Sequence, residues 1–169
     1  MPYRACIPKN DRAPVWQGGL VQPPPLVVVD AANTVGSVPD GWWRDRHGAT
    51  ERLRDALVLL ADRGLPGQDD VPDWARHPAL DVLLVVEGAA RRVPAVPGVR
   101  VAAADGSGDD LMVELVAAAH RDMPDRPVLL VTADRALRAR AREHGAVCAG
   151  PRAVRDTPRR RPARYRRSS

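Results

Sequence analysis

The sequence predicts a mainly parallel α/β domain, and three observations point to it. Short apolar runs rich in β-branched residues recur along the chain: Leu26-Val27-Val28-Val29, Val82-Leu83-Leu84-Val85-Val86 and Val128-Leu129-Leu130-Val131. Runs of this length without polar alternation suit strands buried on both faces, as a parallel sheet requires. Between them lie stretches of helical periodicity, the alternation that builds βαβ units. Each run also leads into a carboxylate: Asp30, Glu87 and Asp134. In an open α/β sheet, ligands bind at the carboxyl ends of the strands.

Residues 1–25 carry six prolines and no helical or strand period, and read as an extended or disordered arm. The first strand is expected at 26–30. Residues 34–45, with Gly36, Pro39 and Gly41, read as a long loop, and no helix is expected directly after Asp30. Trp42 and Trp43 lie in that loop beside Arg44 and Arg46. Two adjacent indoles can stack nucleobases, although packing at a loop base is the commoner use of such a pair. From about residue 50 to 63, Leu53, Ala56, Leu57 and Leu60 form one apolar stripe, and Gly64 stops the helix.

Residues 65–80, with three prolines, predict a connecting loop with one helical turn near 73–76. A second strand at 81–86 follows, then a turn at 88–92 and a weaker strand at 98–104. Gly106-Ser107-Gly108-Asp109-Asp110 opens a helix to about residue 121, with Leu111, Met112, Leu115, Val116 and Ala119 on its apolar side. Asp125-Arg126-Pro127 turns into the fourth strand, 128–133. A short arginine-rich helix, 135–144, ends at Gly145, and 146–149 is the fifth strand. The domain is thus expected to span 26–150, followed by a basic, disordered tail at 151–169. With the first strand central, the order 3-2-1-4-5 places Asp30 and Asp134 on adjacent strands, at the switch point where a crevice opens. Glu87 flanks Asp30 from the other side.

The formal net charge of +5 belongs to the tail. Residues 151–169 hold eight arginines against one acid, a balance of +7, which leaves −2 for residues 1–150. Arginine outnumbers lysine 25 to 1, a bias that GC-rich coding explains as readily as phosphate binding. A high pI therefore does not by itself mark a nucleic-acid binder. Two cysteines, Cys6 and Cys148, are too few for a disulfide framework or a zinc site. No apolar run reaches the length of a membrane span, and residues 1–25 lack a secretory core. These features predict a cytoplasmic protein with no membrane partner.

Acids recurring at one sheet edge suggest a metal site. Hydrolysing a phosphodiester needs charge stabilisation on the phosphoryl oxygens and hydroxide at neutral pH. A Mg²⁺ or Mn²⁺ ion held by one or two carboxylates supplies both. None of the four histidines has ligand-like spacing. Arg135, Arg138 and Arg142 recur at i, i+3 and i+7 and share a helix face suited to phosphates.

Asp30-Ala31-Ala32-Asn33 after a valine-rich strand, Gly106-Ser107-Gly108-Asp109-Asp110 opening a helix and Thr132-Ala133-Asp134 closing a later strand resemble the PIN-like superfamily, and the NYN-type ribonuclease domains within it, over about residues 26–150. The resemblance implies a three-layer α/β/α sandwich in which clustered acids hold Mg²⁺ or Mn²⁺ and cleave RNA. It makes Asp30, Asp110 and Asp134 the metal-binding or catalytic residues, with Asp109 a further ligand. Asn33 would orient the first aspartate or the substrate. Glu87 matches no family motif and is nominated by its place at the edge.

Each motif also has a plain structural use. Asp134 suits an N-cap for the helix starting at Arg135, and Ser107 and Asp110 have capping-box spacing. A catalytically inactive RNA-binding module and a nucleotide or phosphate hydrolase are the alternative functions. A dinucleotide site is disfavoured, because no G-x-G-x-x-G follows the first strand.

Overall fold

The computed structural model describes residues 22–155. The strands are β1 (Leu26–Asp30), β2 (Asp81–Val86), β3 (Val99–Ala103), β4 (Val128–Val131) and β5 (Val147–Ala149). They form one sheet in the order β3-β2-β1-β4-β5, with every adjacent pair parallel. The helices are α1 (Ala31–Gly36), α2 (Arg46–Arg63), α3 (Gly108–Asp122) and α4 (Arg135–Glu143).

Burial explains the layering. Strand side chains alternate between faces, and both faces of the central strands are covered. Val27, Val29, Leu84 and Val86 face a core built with Val35 of α1 and Leu53, Leu57 and Ala61 of α2. Leu26, Val28, Leu83 and Leu130 face the opposite core, with Met112 and Val116 of α3 and Leu137 and Ala141 of α4. The result is the three-layer sandwich, with α1 and α2 on one side of the sheet and α3 and α4 on the other.

Three details differ from the sequence reading. A six-residue helix, α1, begins immediately after Asp30, where a loop was expected. Its apolar signal is only Ala31 and Val35, two positions one turn apart, too short a pattern for periodicity to show. Helix α2 starts at Arg46, four residues before the expected start at 50, because the Asp45 carboxylate caps it by accepting the Gly48 N–H at 2.8 Å. The polar first turn, Arg46-His47-Gly48, carries no hydrophobic pattern. Finally, the packed fold runs past residue 150: Pro151, Ala153 and Val154 are buried against the α1–α2 core. The rest of the expected tail, 156–169, and residues 1–21 of the expected arm lie outside the described residues.

The amino edge of the sheet is tied by one carboxylate. Asp81 accepts two hydrogen bonds from Arg100, at 2.9 and 2.7 Å, and one from Arg126 at 2.7 Å. Arg126 also donates to the Pro24 carbonyl at 2.9 Å, which fixes the entry into β1. At the end of α2, Gly64 adopts φ +89°, and a Cβ there would collide with the Arg76 carbonyl, so only glycine fits. No helix among the described residues is long and apolar enough to cross a membrane.

Candidate active site

The parallel register builds the site. Asp30 is level with Val85 on β2, and Val29 with Val131 on β4. Glu87, just past the end of β2, and Thr132-Ala133-Asp134, just past the end of β4, therefore emerge beside Asp30 at the carboxyl edge. The strand order reverses between β1 and β4, so this edge is also the switch point.

A connected network holds these residues. Asp30 is 6% exposed. Its Oδ1 accepts the Asn33 N–H at 3.0 Å, and its Oδ2 accepts the Thr132 hydroxyl at 2.9 Å. The same Thr132 oxygen accepts the Asp134 N–H at 3.1 Å. Asn33 Oδ1 accepts the Ala133 N–H at 2.8 Å, so α1 is stitched to the loop that carries Asp134. Asp134 caps α4 by accepting the Leu137 N–H at 2.8 Å. Glu87 reaches across to α3, its Oε2 accepting the Gly108 N–H at 2.9 Å, and Ser107 caps that helix through the Asp110 N–H. The capping uses anticipated for Asp134 and Ser107 are thus both realised, and Asp30 is a cap as well. Capping leaves the second oxygen of Asp134 free for a ligand, whereas both oxygens of Asp30 are engaged.

Electrostatics separates Asp109 from its neighbour. Burial pushes the Asp30 carboxyl above its ordinary range; the Asn33 amide and Thr132 hydroxyl oppose this, and the charges of Asp109 and Glu87 add to it. Burial also raises Asp109, helped by the charges of Asp134 and Glu87 and opposed by Arg140. Asp30, Glu87, Asp109 and Asp134 are therefore close enough to repel one another. Asp110 turns outward, with a side chain 71% exposed and paired to Arg140 at 2.7 Å.

The donor set decides which ion these residues suit. Among the described residues, no group of three or more carboxylate, imidazole or thiol side chains forms a ready-made cage. That arrangement does not match a structural zinc site. Mg²⁺ keeps several waters and needs only one or two carboxylates. An all-oxygen edge with Asp109 free of hydrogen bonds among the described residues, and with one uncapped oxygen on Asp134, fits a largely hydrated ion of that kind.

The remaining candidates divide. Trp42 sits in a 3-10 turn, Trp42–Arg44, and packs against the α1–α2 core, while the neighbouring Trp43 is exposed. Arg138 braces the Asp134 loop, its Nε donating to the Thr132 carbonyl at 2.7 Å. Arg135 and Arg142 are exposed on α4. Sequence reasoning passed over Thr132 and Arg140. Thr132 ended an otherwise apolar strand, the one signal that a hydroxyl was wanted at that depth. Arg140 lay off the arginine stripe that drew attention, and its contact with Asp110 spans 30 residues.

Fold and edge together define an α/β/α sandwich on a five-stranded parallel sheet, with an acidic carboxyl edge. No protein-family model matches the chain. No curated protein matches it either. Among solved structures, it is similar to Rae1 (YacP) from Bacillus subtilis, crystallised as a tryptophan-to-leucine mutant. The TM-score is 0.54 at 16% identity, over 76% of this chain and 70% of that one. At that identity the likeness concerns the fold.

Proposed function

We propose that this chain is a nuclease that hydrolyses RNA phosphodiesters with Mg²⁺ or Mn²⁺ at the carboxyl edge. One observation carries the proposal: carboxylates from four separate segments, Asp30, Glu87, Asp109 and Asp134, repel one another at the switch point of the sheet. A fold tolerates such repulsion where a cation or a reaction uses it. Asp109 and Asp134 would hold the ion, largely through its waters, with the buried Asp30 and Glu87 as auxiliary acids. The bound ion supplies charge neutralisation at the phosphoryl oxygens and a water that ionises near neutral pH.

The chain's own groups do the rest. Thr132 and Asn33 fix Asp30 and the Asp134 loop in place, so no reorganisation is needed when substrate binds. Arg135 and Arg142, with the arginines of 156–169, would contact flanking phosphates. Asp110 acts further out, holding Arg140 beside Asp109.

The test is incubation of the purified protein with labelled single-stranded RNA, DNA and free nucleotides, each with Mn²⁺ and with EDTA. Metal-dependent shortening of RNA is the expected result. RNA retention without cleavage would instead identify a binding module, and turnover of nucleotides alone a small-molecule phosphohydrolase.

A further inference from the structure

A cavity of about 270 Å³ opens beside the acidic edge, sharing Glu87 with it. One wall is Trp42, whose indole is held by the core, with the Arg46 guanidinium stacked 5.1 Å from the ring centroid. The Arg46 guanidinium makes no ion pair or hydrogen bond among the described residues, while the residue's carbonyl accepts the Thr50 hydroxyl. Ala31 and Val35 of α1 supply an apolar floor. Gly88 and Gly106 border the space without side chains, and a Cβ at either would meet nothing within 4 Å. Glu87 uses Oε2 on the Gly108 N–H, which leaves Oε1 as an unengaged acceptor at the cavity rim.

We infer that this cavity takes one nucleobase of the RNA strand, beside the phosphate presented to the acids; the inference rests on the nuclease reading for its choice of ligand. Three features select that occupant. The outer face of the exposed Arg46 guanidinium, backed by the Trp42 indole, stacks bases of any identity. The apolar floor favours a flat ring over a sugar or a free phosphate. The free Glu87 oxygen accepts from a ring or exocyclic N–H, which every nucleobase except a substituted one carries and a phenyl ring does not. The size admits one base and excludes a base pair, so the strand must be single where it is bound.

Binding is measured in EDTA, where no cleavage occurs, by tryptophan fluorescence during titration with a short single-stranded RNA. Gly106→Leu fills the cavity at a position with room for the side chain, and Arg46→Gln removes the exposed stacking cation. Both variants should melt like the parent and bind RNA about tenfold more weakly, the loss of one stacked base. Inorganic polyphosphate should compete poorly with RNA for the fluorescence change. Unchanged RNA affinity in both variants, or equal competition by polyphosphate, overturns the base pocket. The nuclease reading is tested separately, by hydrolysis of bis(p-nitrophenyl) phosphate by the parent with Mn²⁺, a diester that carries no base. Failure there with the variant effects intact would leave the base pocket standing without the nuclease.

Discussion

Asp30 serves the fold and, under the proposed function, the chemistry as well. It caps α1 and anchors Thr132, yet burial and the neighbouring charges raise its pKa above the ordinary 3.8. A carboxyl with a raised folded-state pKa binds its proton more tightly when folded. Its penalty on the metal-free protein is absent below 3.8 and grows as pH rises through the window up to the raised value, above which it is fully present. Asp30→Asn keeps both hydrogen bonds, because the amide oxygen still accepts from Asn33 and the Thr132 hydroxyl rotates to accept from the amide nitrogen. In EDTA at pH 7 the variant should therefore melt a few degrees above the parent, with the gain vanishing near pH 4. Melts across that range check it; a lower melting temperature at pH 7 would mean the charge is compensated. Gly108 gives a complementary test. A Cβ there would lie 2.6 Å from Glu87 Oε2, the mobile end of a side chain, so Gly108→Ala moves the carboxylate at little cost to the helix. Stability should stay within about 1 kcal/mol of the parent, while the cleavage rate falls.

At the scale of elements, the carboxyl edge is rigid because its loops are tied together. The Asn33–Ala133 bond joins α1 to the loop before α4 across 100 residues. Asn33→Ala should cost about 1 kcal/mol of stability and lower kcat more than RNA affinity, a split seen by comparing single-turnover rates with binding in EDTA. These ties also mark where sequence reasoning reached its limit. The strands and their order were legible because Val28, Leu84 and Leu130 belong to runs with no polar interruption, and only a parallel sheet buries both faces of such runs. Asp30, Glu87 and Asp134 were legible because each follows an apolar run, and Asp109 because Gly106-Ser107-Gly108 announces a helix start. Helix α1 was not, since its stability comes from the Asp30 cap and from burial of Ala31 and Val35 rather than from a repeat. The outward turn of Asp110 was also hidden. Adjacent helical residues point about 100° apart, and which one faces Asp30 depends on the seating of α3 on the sheet.

For the whole molecule, the charge division matters most. Residues 1–150 sum to −2, so under the proposed function attraction to RNA falls mainly to the arginines of 151–169. Since Pro151, Ala153 and Val154 are buried, a deletion that spares the core starts at residue 156 and removes six arginines. If about half of them contact phosphates, the log–log salt dependence of single-strand binding should flatten by roughly 2. The maximal cleavage rate should be unchanged, and an unaltered slope would assign RNA attraction to the folded part. The central claim is that the acids at the carboxyl edge use a divalent ion to cut RNA, and the most direct measurement is the single-turnover cleavage rate of a saturated single-stranded RNA complex. With Mn²⁺ the parent should cut, and EDTA should stop it. Asp30→Asn, folded by its melt, should be slower on the order of a hundred-fold or more with Mn²⁺ present. Cleavage by Asp30→Asn at the parent's rate, or by the parent at full rate in EDTA, would contradict it.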